Sequence, residues 1–136
     1  MNDMSNQTRS VVVERAIPHP PEKIWRALTQ SHLIAEWLMS NDFKAEEGHA
    51  FNLTADWGAV DCEVRTVEPN RTLSYTWDTK DLRSVVTWTL TPTGSGTTLR
   101  MEQAGFRRDQ EPYYRGATMG WPRFFAQLED VLAKMD

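Results

Sequence analysis

Residues 121–132 read Trp121-Pro122-Arg123-Phe124-Phe125-Ala126-Gln127-Leu128-Glu129-Asp130-Val131-Leu132, and the spacing of their apolar side chains decides the fold. Trp121, Phe125, Leu128 and Leu132 recur at intervals of four, three and four, which places them on one face of an α-helix; Phe124, Val131 and Met135 widen the stripe. A helix with so broad an apolar face must bury it against another layer. Pro122 lacks an amide hydrogen, so the regular helix either begins there or bends there. Residues 113–120 are accordingly an earlier turn or a bent continuation.

The partner layer lies upstream. Val60, Cys62 and Val64 alternate with Asp61, Glu63 and Arg65, and Leu73, Tyr75 and Trp77 alternate with Thr72, Ser74 and Thr76. A period of two with one apolar face belongs to an antiparallel sheet covered on a single side. Strands are expected over residues 10–17, 43–45, 49–54, 59–67, 72–77, 84–90 and 97–103, separated by turns at Glu46-Glu47-Gly48, Asp56-Trp57-Gly58, Pro69-Asn70, Thr79–Leu82 and Thr93–Gly96. After the first strand, Pro18, Pro20 and Pro21 end the ladder and open a short helix carrying Ile24, Trp25 and Leu28. Ser31 is the expected N-cap of a second short helix with Leu33, Ile34, Trp37 and Leu38 on one face. The fold class is α+β: an antiparallel sheet of six or seven strands curved around a long C-terminal helix, with two short helices after strand one.

A chain of 136 residues is long enough to bury a core without disulfides. Its lone Cys62 has no partner at metal-ligand spacing and suits a reducing compartment, so the expected location is cytoplasmic. Residues 1–9 are polar, resemble neither a leader nor a membrane span, and are expected to fray; residues 10–136 form one domain. A formal net charge of -4 gives no electrostatic reason for a nucleic-acid or membrane partner. Six Trp, five Phe and three Tyr are the compositional peculiarity, since many aromatics make either a bulky core or the wall of a flat ligand's site.

The order of elements, and several motifs in series, resemble the START-like helix-grip superfamily, in the branch related to the activator of heat-shock-protein ATPase. The motifs are Pro21-Glu22-Lys23-Ile24-Trp25-Arg26-Ala27-Leu28-Thr29; Leu33 with Trp37; Val64 and Val67 with Pro69, Arg71, Leu73, Tyr75 and Trp77; Val86-Thr87-Trp88 with Leu90 and Pro92; Gly96-Thr97; Gly105-Phe106; and Gly120-Trp121. The superfamily includes lipid and hormone carriers, polyketide cyclases and chaperone activators, so the resemblance implies a fold more sharply than a function.

Trp77 and Tyr75 on one strand, Trp88 on the next, and Trp121 and Phe125 on the helix either enclose a ligand cavity or fill it, because interiors pack densely. Helix-grip relatives commonly leave a gap under the helix, which favours the cavity. Gln103 continues the inward register of Leu99 and Met101, and its amide either orients a ligand or is satisfied locally. Trp37, Phe51 and Met101 complete the candidate ligand contacts. His19, His32 and His49 have no spacing that joins two on one metal, and no nucleophile elbow, Walker loop or dinucleotide glycine pattern occurs. Glu36, Asp56, Asp78, Asp81 and Glu102 are the acid–base candidates, each more simply read as solvated surface. Arg107, Arg108 and Arg115 either meet a ligand carboxylate at the cavity mouth or are exposed loop charge.

The expected function is cofactor-free binding of a small apolar ligand, hydrophobic or aromatic. The rival readings are a cyclase-like or hydrolytic enzyme in the same cavity, and a protein that engages a chaperone. Unpaired edge strands leave a homodimer open.

Overall fold

The computed structural model describes residues 8–135. β1 (Thr8–Ile17) is followed by α1 (Pro21–Thr29), α2 (Ser31–Trp37), β2 (Ser40–Asn41), β3 (Ala50–Ala55), β4 (Gly58–Glu68), β5 (Thr72–Asp78), β6 (Arg83–Thr93), β7 (Gly96–Arg107) and α3 (Glu111–Lys134). The strands form one seven-stranded antiparallel sheet in the order β1-β7-β6-β5-β4-β3-β2. The helix-grip architecture expected from the stripe and the alternation is therefore present.

Its boundaries differ from expectation at identifiable places. Residues 1–7 of the stretch expected to fray lie outside the described residues, whereas Thr8 and Arg9 extend β1 by pairing with Arg107 and Phe106. Gln30, not Ser31, caps α2: the backbone N–H groups of Leu33 and Ile34 donate to the Gln30 carbonyl. The Ser31 hydroxyl is engaged instead with the Asn41 carbonyl. No strand forms over residues 43–45. The pairing segment is Ser40–Asn41, and Asn41 fixes the loop after it by accepting from the Phe43 N–H and donating to the Ser31 and Met39 carbonyls.

α3 runs unbroken through Pro122, which settles the alternatives for residues 113–120 in favour of continuous helix. Its fully buried residues, Trp121, Phe125, Leu128, Val131 and Leu132, all lie in the second part of the helix. These seat it on the concave face of the sheet, beside α1 and α2. The alternation holds where it matters: Val60, Cys62 and Val64 are buried on β4, and Leu73, Tyr75 and Trp77 on β5. Ser74, expected on the wet face, is also buried.

The aromatics form a connected chain across the core. Trp88 is wholly buried, with Trp37, Trp121 and Phe125 ring centroids 5.6, 5.8 and 5.6 Å away, and Trp121 reaches Trp77 at 5.4 Å. Edge-to-face and tilted contacts of this kind suit the ring quadrupoles. A second group, Phe43, Phe51 and Tyr75, closes the end of the core beneath β3.

Candidate functional site

The long helix fills the sheet's concavity only along its second part. On the same face, at residues 113, 116, 117, 120, 121 and 124, the side chains shrink to Gly116, Ala117 and Gly120 between Tyr113 and Trp121. A Cβ added at Gly116 or Gly120 would meet nothing within 4 Å, so these glycines are not demanded by close packing. They leave a pocket of about 270 Å³.

Its floor comes from the sheet. Trp77 lies on β5, and Gln103 and Phe106 on β7; Met39, Leu82 and Phe124 supply side walls, and Trp57 of the β3–β4 turn stands at the rim, 65% exposed. Gln103 and Phe106 are three residues apart, and simple alternation would send them to opposite faces. A bulge brings them together. Arg9 pairs with Phe106 and Ser10 with Ala104, so Gly105 is the extra residue. Gly105 takes φ +124°, and a Cβ there would lie 2.5 Å from the Arg83 carbonyl oxygen. Only glycine fits both demands.

The polar groups behind the floor are tied to one another. Trp121 Nε1 donates to Gln103 Oε1 at 2.7 Å, Gln103 Nε2 donates to Ser84 Oγ at 3.0 Å, and Ser84 Oγ donates to the Trp77 carbonyl at 2.6 Å. This relay fixes the Trp121 indole relative to the sheet and satisfies a buried amide that would otherwise be costly. Gln110 then joins the two sides of the mouth: its Nε2 donates to the Asp81 carbonyl at 2.6 Å, and its Oε1 accepts from the Arg107 N–H at 3.1 Å. At the wall, Thr79 Oγ1 is buried without a hydrogen-bond partner among the described residues.

Of the expected ligand contacts, Trp77, Gln103 and Trp121 line this pocket. Trp37, Phe51, Tyr75, Trp88, Met101 and Phe125 lie behind it as core. Trp37 Nε1 donates to the Ala27 carbonyl at 2.9 Å and Trp88 Nε1 to the Tyr75 hydroxyl at 3.0 Å, so these buried indoles are satisfied within the core. Burial pushes the Tyr75 phenol well above its usual range. Trp57, Phe106 and the glycine face of α3 escaped sequence reading. The exposed turn indole and the bulge have no periodic signal, and a gap is a property of facing elements.

Among the described residues, none that lines the pocket is Asp, Glu, His, Lys, Arg or Cys. Glu36, Asp56 and Asp81 are exposed; Glu102 is half-buried beside Arg100, and Asp78 accepts from the Ser84 N–H. The Arg107, Arg108 and Arg115 side chains are likewise outside the pocket, with Arg107 paired to Asp109 and Arg115 to Glu111. Burial, and then the nearby charges of Asp78, Asp61 and Asp42, push the Cys62 thiol up to about 12. No group of three or more His, Cys, Asp or Glu capable of holding a metal ion occurs among the described residues. Among them, too, no helix is long and apolar enough to cross a membrane.

Comparison with known proteins gives a consistent relationship. A family model described as Activator of Hsp90 ATPase homolog 1-like protein matches residues 18–133. The crystal structure of protein MLL2253 from Mesorhizobium loti is 65% identical, with a TM-score of 0.92 over 94% of this chain and 99% of that one. The solution structure of protein BH1534 from Bacillus halodurans is 30% identical, with a TM-score of 0.81 over 91% of this chain and 96% of that one. DynU16, described as a protein in the dynemicin biosynthetic locus, is 26% identical, with a TM-score of 0.83 over 92% of this chain, which spans 47% of its length. No curated protein matches.

Proposed function

The chain belongs to the activator of Hsp90 ATPase homolog 1-like family, a START-like helix-grip branch, and on that premise we propose that it binds a small apolar molecule between the sheet and the first part of α3. The observation that carries this reading is the open space beside Gly116 and Gly120. Each glycine costs a helix about 1 kcal/mol relative to alanine. A helix serving only as a cover would be better built with Ala or Leu there. Retaining two glycines and a central proline makes sense where the gap is used.

Trp77, Trp121 and Phe106 would supply apolar contact, Gln103 is already oriented at the floor, and Trp57 guards the entrance. At about 270 Å³ the pocket falls just below the usual ligand-site range of roughly 300–1,000 Å³, which favours a compact ligand. The setting of DynU16 in a biosynthetic locus is in keeping with a small-molecule role. A catalytic role has less to draw on, because every carboxylate considered for acid–base work lies outside the lining. We place the protein in the reducing cytosol on the strength of its unpaired Cys62.

The test is a titration of the full chain with a panel of small aromatic and aliphatic compounds, followed by Trp emission. A saturable change is expected, weakened by Trp57→Ala, whose exposed position spares the core. If no compound produces a saturable change, the proposal fails.

A further inference from the structure

Resting on that pocket reading, we infer that the site selects uncharged, planar molecules laid against the glycine face of α3, with Gly116 and Gly120 setting the size admitted. Three observations converge. The lining offers flat or small surfaces on both sides: the Trp77 indole and Phe106 of the sheet opposite an α3 face that carries the Trp121 indole beside two residues with no side chain. A ring can lie close along such a backbone, where a Leu or Met would force it away.

The second observation is electrostatic. The polar side-chain groups of the lining are all neutral: the Gln103 amide, the Thr79 and Tyr113 hydroxyls and the indole N–H groups, with Thr79 Oγ1 having no partner among the described residues. Among the described residues no cation lines the pocket to neutralise a ligand carboxylate, and burying an unpaired carboxylate is severely unfavourable. Third, cations of the segments that flank the lining are engaged by the protein's own groups: the Arg83 guanidinium donates to the carbonyls of the lining residues Thr79 and Leu82, and three others face carboxylates. Arg9 meets Glu111 and also lies 3.9 Å over the Tyr114 ring, Arg115 meets Glu111, and Arg107 meets Asp109. The carboxylate at the rim is repulsive to an anion: Asp81 Oδ2 lies 3.5 Å from the hydroxyl of the lining residue Tyr113.

Calorimetric titration of the full chain at neutral pH with naphthalene, 2-naphthol and 2-naphthoate separates shape from charge. Naphthalene and 2-naphthol are expected to bind, and 2-naphthoate at least about tenfold more weakly, because its carboxylate would be buried unpaired. Gly116→Leu and Gly120→Leu should each lose about tenfold in 2-naphthol affinity while remaining folded. Gly116→Ala and Gly120→Ala form a milder second series, expected to fall between the unmodified chain and the Leu variants. Equal affinity for 2-naphthoate and 2-naphthol, or equal 2-naphthol affinity across folded glycine variants, overturns the inference and leaves the pocket reading intact. Binding of none of the three compounds also overturns the inference, and the pocket reading itself falls only if the wider aromatic and aliphatic panel is silent as well.

Discussion

Gln103 joins the sheet to α3 through two buried hydrogen bonds, accepting from Trp121 Nε1 and donating to Ser84 Oγ. Replacing it with Leu leaves the Trp121 indole N–H without its acceptor in a buried site, and a loss of about 1–3 kcal/mol is expected in urea unfolding. Its inward direction was readable from the alternation of Leu99 and Met101. Its partners were not, because Ser84 and Trp121 meet it only through the sheet pairing and the docking of α3. Glu111 offers a pH-dependent counterpart. The hydrogen bond from Arg9 holds its carboxyl below the usual value of 4.5. Its contribution to stability is therefore fully present above about pH 4.5 and fades as pH falls through the lowered folded value. Glu111→Gln should be less stable than the unmodified chain at neutral pH, and the two melting temperatures should converge in acid. With its thiol raised to about 12, Cys62 should resist thiol-modifying reagents until the chain unfolds.

Among elements, α3 divides at Trp121. The second part was legible because its stripe repeats at helical spacing. Residues 111–120 were not, since Gly116, Gly120 and the following Pro122 argue locally against helix and no side chain caps its start, while the contacts of Tyr114 with Phe106 and Arg9 hold it to the sheet. Gly116→Ala and Gly120→Ala should each stabilise the chain by about 0.5–1 kcal/mol, because helix propensity rises and the new methyl meets no neighbour. That gain, measured by thermal unfolding, should accompany weaker ligand binding. Gly105→Ala should do the reverse in β7. A side chain at φ +124° and against the Arg83 carbonyl should cost more than about 1 kcal/mol and disturb the bulge that brings Phe106 to the floor. The missed strand at Ser40–Asn41 has the same origin as the missed bulge. Polar residues of weak strand propensity pair there because β3 offers an edge, which no local pattern announces.

At the scale of the whole molecule, the antiparallel sheet and the gripped helix follow from alternation, one apolar stripe and a series of family motifs, each visible in the chain, whereas the strand order emerges only in the fold. The pocket follows from what those elements fail to fill. That is why Trp37, Trp77, Trp88, Gln103 and Trp121 are all candidates from the sequence, yet Trp77, Gln103 and Trp121 line the pocket while Trp37 and Trp88, equally aromatic and equally inward, fall behind the wall. The indole N–H resonances of the six tryptophans distinguish these positions in one experiment. Titrating 2-naphthol into isotopically labelled protein should shift the Trp57, Trp77 and Trp121 signals saturably, with those of Trp25 and Trp37 left nearly in place. Saturable shifts confined to Trp25 and Trp37, or no shift at any indole, would contradict a ligand site beneath the first part of α3.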